Sequence, residues 1–370
     1  EKKRLDNLET PMLNRLRVLA YLADQGADSA TLAKSDPVGF RRLPGVLDRI
    51  TQGRLPRSKK TGLDAVAIDL CLPTWMVQRL ADAFGEERTR AIAAGLDGRA
   101  PITLRVAHKH DREDIAARIR ERHGWGPVPT RLSPQGLVLP RAVDLPSWSL
   151  FREGAIDLQD EGSQLVALAT GAKPGESVLD ACAGAGGKTL ALADALEGNG
   201  RLVALDPEKP KLDELRRRSE RTDRPIETIV GDLTNLPDRL HEAFDVVLVD
   251  APCTGTGTLR RHPDLMWRLS DTDVGQEASR QRRILTGAFN AVRPGGRLIY
   301  ATCSVFAEEN EAVSAYLTAE QPRLRPLPLA ELWGERLSTQ LAASHEARIG
   351  PGPRREDPDG FYIAAFRRQP

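Results

Sequence analysis

The sequence predicts an α/β fold, a mostly parallel sheet with helices on both faces. From about residue 155, short runs rich in Val, Ile and Leu alternate with helical stretches, the pattern of strands joined by crossover helices. The first run leads into a glycine-rich loop, Asp180-Ala-Cys-Ala-Gly-Ala-Gly-Gly-Lys-Thr189, which opens a helix. Two cysteines, Cys253 and Cys303, each follow an apolar run, Val246-Val-Leu-Val249 and Leu298-Ile-Tyr300. Both therefore fall just outside the carboxyl ends of strands, where an open α/β sheet places its reacting groups.

The strands are expected at residues 177–179, 202–205, 227–230, 246–249 and 297–301, with helices at 188–196, 210–221, 274–291 and 308–318. Residues 10 to about 96 read as helical, including one stretch at 73–96 that carries Trp75, Met76, Leu80 and Phe84. A strand at 102–106, a charged helix at 111–123 and a short strand at 137–139 follow. Prolines 127, 129, 134, 140 and 146 then mark a loop-rich boundary. The expected division is a helical N-terminal region at 1–96, a small α+β subdomain at 97–152 and a third domain at 153–370.

Composition, at 40% hydrophobic and 28% charged, is that of a soluble globular chain. No apolar run reaches the roughly 18 residues of a membrane span. The start, Glu1-Lys-Lys-Arg, lacks the apolar segment of a secretory signal. Four cysteines over 370 residues make neither a disulfide framework nor a paired zinc motif. The expectation is free thiols in a cytoplasmic protein without metal. Residues 1–150 carry 25 Lys/Arg against 18 Asp/Glu, a charge of +7, and the remainder carries −6. The densest patch runs from residue 41 to 60, with Arg41, Arg42, Arg49, Arg54, Arg57, Lys59 and Lys60 against Asp48. Such a patch is an electrostatic footprint for nucleic-acid phosphates.

Three readings compete for the glycine loop. A phosphate-binding P-loop needs glycine where Cys182 stands, although Val246-Val-Leu-Val-Asp250 resembles a strand with a magnesium-binding aspartate. A dinucleotide fingerprint starting at Gly184 needs glycine where Thr189 stands. The third reading is a nucleoside-bearing cofactor without a phosphate chain, such as S-adenosylmethionine. Asp206 favours it, because an acid at the end of the second strand suits ribose hydroxyls. Asp232 ends the third strand and suits an adenine amine. A lone aspartate after a strand is commonly a cap or turn residue. Asp206, Asp232 and Asp250 at three successive strand ends around one loop make a stronger pattern.

These motifs carry a family resemblance. The glycine loop, Asp250-Ala-Pro-Cys-Thr-Gly-Thr-Gly-Thr-Leu-Arg-Arg-His-Pro-Asp264 and Tyr300-Ala-Thr-Cys-Ser-Val-Phe-Ala-Glu-Glu-Asn-Glu311 resemble the Sun/Nop (Fmu) family of S-adenosylmethionine-dependent RNA cytosine-C5 methyltransferases. Leu158-Gln-Asp-Glu-Gly-Ser-Gln164 and Asp359-Gly-Phe-Tyr362 resemble that family's entry motif and closing strand. The likeness covers about residues 70 to 370. Two departures are visible. Gly184-Ala185 stands where the family more often has Ala-Pro, and the N-terminal helical region is shorter than in the bacterial rRNA members.

The resemblance implies a Rossmann-like class I methyltransferase with a seven-stranded sheet, preceded by a small RNA-recognition-like subdomain. It implies S-adenosylmethionine held by Cys182, Ala183, Gly184, Ala185, Gly186, Gly187, Lys188, Asp206, Asp232 and Asp250. It makes Cys303 the nucleophile on cytosine C6 and Cys253 the group assisting release, with Asp250 at the cytosine ring. A free thiol is only a few per cent ionised near neutral pH, and one cationic neighbour can offset that; Lys188 is the candidate. Arg260 and Arg261 are expected on RNA phosphates. Trp267 and Phe306 are open between base stacking and core packing. Cys71 reads as a buried hydrophobe. The expected partner is RNA, most readily ribosomal RNA, with a monomeric enzyme. A tRNA methyltransferase and a catalytically degenerate RNA-binding assembly factor are the alternatives.

Overall fold

The computed structural model describes residues 19, 22, 28–35, 61–70, 72–221, 225–354 and 356–370. The chain forms two compact units, residues 1–69 and 70–370. In the first unit lie helices α1 (Ser29–Ser35) and α2 (Gly62–Asp69). Leu19, Leu32, Val66 and Ala67 are buried there. The basic patch of Arg41, Arg42, Arg49, Arg54, Arg57, Lys59 and Lys60 lies outside the described residues, as does Cys71.

The second unit opens with α3 (Thr74–Phe84) and α4 (Glu86–Leu96). One helix was expected across residues 73–96. The break falls at Gly85, whose φ of 78° ends the first helix. A small antiparallel sheet follows, of β1 (Ile102–Val106), β2 (Val128–Pro129), β3 (Gly136–Leu139) and β4 (Ile156–Leu158), in the order β2-β3-β1-β4. Helix α5 (Arg112–His123) is capped by Asp111, whose carboxylate accepts the Glu113 and Asp114 N–H groups. It packs Ile115, Ala116 and Ile119 on the apolar face formed by Leu104, Val106, Leu137 and Leu139. Strand β4 lies beyond residue 152, so this small sheet reaches past the expected subdomain boundary.

The large domain starts with α6 (Glu161–Leu168) and β5 (Ser177–Asp180). Then come α7 (Gly187–Ala195), β6 (Arg201–Asp206), α8 (Lys209–Ser219), β7 (Glu227–Val230) and β8 (Phe244–Asp250). Next are α9 (Asp271–Ala291), β9 (Val292–Thr302), α10 (Glu311–Glu320), β10 (Leu324–Pro326), β11 (Glu346–Ile349) and β12 (Phe361–Arg368). The strand order is β10-β12-β9-β8-β5-β6-β7, with β11 beside β12 off this path. Strands β5 to β9 pair in parallel and β12 runs antiparallel to β9. Seven strands lie on the main path, and the short β11 makes an eighth.

Successive strand residues point to opposite faces, and each face has its own core. Leu179, Val203, Val247, Val249, Leu298 and Tyr300 meet Ala278, Leu285 and Ala288 of α9 and Val313 of α10. Val178, Leu202, Val246, Leu248, Ile299 and Ala301 meet Leu165 and Val166 of α6 and Leu192 of α7. This double covering is why the strands read as continuous apolar runs.

A buried ion pair joins the small sheet to the large domain: Arg105 of β1 pairs with Asp194 of α7. Gln164 of α6 also donates to the Leu104 carbonyl at 3.2 Å. Removing one partner of a buried pair leaves the other charge uncompensated. Asp194→Ala is expected to lower unfolding stability by about 3 to 5 kcal/mol, read from denaturant unfolding of the full chain.

Candidate active site

Strands β8 and β9 are neighbours in parallel register, with Asp250 opposite Ala301. The two cysteine loops therefore leave the same sheet edge side by side. Gly257 carries the first loop back across the second: its N–H donates to the Cys303 carbonyl at 2.8 Å, and its carbonyl accepts from Gly360. A Cβ at Gly257 would stand 2.2 Å from the Gly360 oxygen, so only glycine allows this approach. The result is a Cys253 Sγ to Cys303 Sγ distance of 3.5 Å, with both thiols free.

Both sulfurs open into a cavity of about 600 Å³, also lined by Cys182, Gly184, Asp206, Asp232 and Asp250. The glycine loop supplies one wall. Gly186, at φ 87°, turns the chain into α7, and a Cβ there would lie 2.2 Å from the Leu215 side chain. Asp206 accepts the N–H groups of Gly184 at 2.9 Å and Glu208 at 2.8 Å, which fixes this wall. Asp232 is exposed and caps the turn Leu233–Asn235 by accepting from the Thr234 N–H. Ala183, Ala185, Gly186, Gly187 and Lys188 are not on the cavity surface; they build the turn that holds Cys182 and Gly184 there.

Lys188 Nζ donates to Asp250 Oδ2 at 2.7 Å. Burial works against its ammonium, but the charge and hydrogen bond of Asp250, with help from Cys303 and Asp180, outweigh it and raise its pKa. The charge offered to Cys303 in the sequence reading is thus shared with a carboxylate. The Cys253 thiol lies well above its ordinary value, first because it hydrogen-bonds Cys303 and then because it is buried. Burial, followed by the charges of Asp180, Asp250 and Asp206, also pushes Cys182 up, so that thiol acts as lining.

Arg260 and Arg261 do not line the cavity, and the burial of Arg260 corrects its assignment to an RNA phosphate. The Arg260 side chain is 2% exposed and pairs with Asp359 Oδ1 at 2.8 Å. Arg261 is held by Asp359, by Asp160 at 2.9 Å and by the Pro101 carbonyl at 3.0 Å. With its side chain buried against Asp359, Arg260 has no fork left for phosphate, whereas Arg261 keeps part of its guanidinium exposed. Phe306 is buried against Trp75, with ring centroids 5.7 Å apart, so it packs rather than stacks on bases. Trp267 is 37% exposed.

Some site residues escaped the sequence reading. Arg280 and Arg283 of α9 line the cavity. Gln281 is fully buried on the same helix, within the apolar stripe of Val274, Ala278, Ile284 and Leu285, and a polar residue inside such a stripe was the available signal. Gln281 Nε2 donates to the Pro252 carbonyl at 2.9 Å and to Glu309 Oε1 at 3.0 Å. Glu309 stood within the quoted motif without a role.

A cavity of this size suits a nucleoside-bearing ligand, and the donor set of backbone loop plus strand-end carboxylates fits S-adenosylmethionine. Among the described residues, no cluster of His, Cys, Asp or Glu is arranged to hold a metal ion, and no helix is long and apolar enough to cross a membrane.

Strand order, glycine loop and cavity together define a methyltransferase-type α/β domain. The chain belongs to the 16S rRNA methyltransferase RsmB/F family, which matches residues 167–367. The family's ferredoxin-like domain matches residues 72–146. A ribosomal RNA small subunit methyltransferase B from Pseudomonas putida is 34% identical, over 79% of this chain and 65% of the relative. The Vibrio cholerae protein of the same name is 31% identical, over 89% and 73%. The chain thus spans about two thirds to three quarters of the length of these relatives. A solved methyltransferase homolog from Pyrococcus horikoshii superposes with a TM-score of 0.68 at 28% identity, over 83% of this chain and 98% of that one.

Asp180 ends β5 fully buried; its Oδ2 accepts from Thr189 at 2.7 Å and its Oδ1 has no partner. Burial raises its pKa from 3.8 to about 6. A carboxyl with a raised folded-state pKa gives stability that is complete below the unfolded value and lost as pH rises through the folded one. Wild type should therefore lose up to about 3 kcal/mol relative to Asp180→Asn between pH 4 and pH 7, measured as the difference between their unfolding free energies across that range.

Proposed function

We propose that this chain is an S-adenosylmethionine-dependent RNA cytosine-C5 methyltransferase acting on ribosomal RNA. The observation that carries the reading is the pair of thiols, 3.5 Å apart, opening into one cavity with the glycine loop and three strand-end acids. Ribosomal RNA is favoured over tRNA by the names of the relatives. The presence of Lys188, Asp206, Asp232, Asp250 and both cysteines argues against a degenerate assembly factor.

Cytosine C5 is a poor nucleophile, and a thiolate added to C6 turns it into the end of an enamine. The Cys303 thiolate forms the S–C6 bond, the C5–C6 double bond opens with its electrons shifting through C4 to N3, and ring N3 takes up a proton from solvent. Asp250 hydrogen-bonds the ring, and Lys188 keeps that carboxylate in place. Cys182, Gly184, Asp206 and Asp232 would hold S-adenosylmethionine, with Asp206 suited to the ribose and Asp232 to the adenine, and the cofactor would supply an electrophilic methyl group for C5. Cys253, as thiolate, then takes the C5 proton. The C5–H electron pair restores the C5–C6 double bond, the C6–S bond breaks, Cys303 leaves as thiolate, and N3 returns its proton to solvent.

The electrostatics support this division of labour. The Cys253 thiol is held above its ordinary value chiefly by its hydrogen bond with Cys303 and then by burial. When the Cys303 sulfur bonds to carbon, that hydrogen-bond partner is lost. Cys253 then gives its proton to solvent more easily and becomes a base at the step that needs one. Arg280 and Arg283, on the cavity wall, are the cations assigned here to the RNA phosphates near the target base.

Two tests follow. Cys303→Ala is expected to reduce methyl transfer to background, and Cys253→Ala to trap an RNA–protein adduct on denaturing gels; no adduct from Cys253→Ala with RNA and methyl donor present would sink the two-cysteine route. The double change Arg280→Glu and Arg283→Glu is expected to raise KM for RNA at least tenfold, about 1.4 kcal/mol, with cofactor affinity by calorimetry unchanged. Weakened cofactor binding alone would move these arginines to the cofactor carboxylate.

A further inference from the structure

One buried carboxylate bridges the two cysteine loops. Glu309, fully buried beyond β9, accepts the Thr254 N–H at 2.9 Å on Oε1 and the Thr254 hydroxyl at 2.6 Å on Oε2. The Ser304 hydroxyl also donates to Oε2. Thr254 directly follows Cys253, and Ser304 directly follows Cys303. Gln281 completes the clamp, with its amide shared between Glu309 and the carbonyl of Pro252, the residue before Cys253. The Tyr300 hydroxyl donates to the Glu309 carbonyl, and Asn310 Oδ1 accepts from the Thr302 hydroxyl at 2.5 Å, so the carboxylate's own backbone is tied to β9.

A buried charge without a cationic partner is costly unless hydrogen bonds satisfy it. Here four donors converge on one carboxylate, and all four come from residues beside the reacting thiols or from the helix that roofs them. Their shared product is the separation of the two sulfurs.

We propose that Glu309 is the positioning residue that sets the spacing of Cys253 and Cys303, and thereby the partition between forming the RNA adduct and releasing it. The proposal rests on the two-cysteine reading above. Attack occurs at C6 and proton removal at C5, which are bonded neighbours, so both sulfurs must reach one small region of a ring. A displacement of about 1 Å is enough to cost roughly 10²-fold in rate. The two cysteines are not equally anchored. Cys303 follows directly on the last residue of β9, whereas Cys253 lies three residues past the end of β8. Loss of Glu309 therefore displaces Cys253 more, and release suffers more than attack.

The experiment compares single-turnover and steady-state methyl transfer, with adduct on denaturing gels, for Glu309→Ala, Glu309→Gln and Cys253→Ala. Glu309→Ala is expected to keep first-turnover transfer within about tenfold, to lose about 10²-fold in steady-state rate, and to accumulate adduct. Glu309→Gln is expected to recover most of the steady-state rate, because its oxygen still accepts from the Thr254 N–H and both hydroxyls can turn to accept from its amide. Should Glu309→Ala fail to fold, by melting and cofactor calorimetry, Thr254→Val with Ser304→Ala removes the two hydroxyl donors and is expected to accumulate adduct as well. Equal loss in both kinetic regimes without adduct, or no loss, would overturn the proposal while Cys253→Ala still traps adduct. If Cys253→Ala traps none, the two-cysteine reading fails and this proposal falls with it.

Discussion

Everything at the site depends on the parallel pairing of β8 with β9. Parallel neighbours end at the same edge, so two loops about fifty residues apart in sequence leave the sheet within hydrogen-bonding reach of each other. The register puts Asp250 level with Ala301, which sends the Cys253 loop across the Cys303 loop instead of away from it. An antiparallel pairing would have placed the two thiols at opposite ends of the domain.

That geometry demands buried polar groups. The chain must leave two strands, turn sharply and return while its backbone donors stay satisfied. Glu309, Gln281, Thr254, Thr256 and Ser304 supply that satisfaction in one connected set. A second buried set, of Arg260, Arg261, Asp160 and Asp359, fastens the far end of the same loop to β12 and to Pro101 beside the small sheet. Burial, followed by the neighbouring Asp359 charge, raises Asp160 to about 6. The arginines beside the cysteine motif tie its loop to Asp359 and Asp160.

Four of the five sequence-derived strands agree with the structure to within two residues at each end, whereas β9 begins at Val292, five residues before the expected 297, because Arg293-Pro-Gly-Gly296 breaks its apolar run. The run Val246-Val-Leu-Val249 is buried throughout in β8. Helix ends were less legible where one residue decides them. Gly85 splits an otherwise continuous apolar pattern, and a single glycine within a helical pattern is ambiguous until its φ is known. The glycine loop and strand-end acids were legible because their spacing is local.

By itself the sequence determined the alternation of strand and helix, the position of the loop at the end of the first strand, and the placement of Cys253 and Cys303 just past two strands. Their unequal roles came from the family resemblance. Only the tertiary structure decided which charges face the cavity. Arg260 and Arg261 stand next to the cysteine motif in sequence yet are consumed by Asp359 and Asp160, whereas Arg280 and Arg283 reach the cavity from a helix with no motif. The reason is physical. Local spacing sets which way a backbone runs, but a charged side chain is free for a ligand only if no buried partner has claimed it, and such partners come from elements about a hundred residues away.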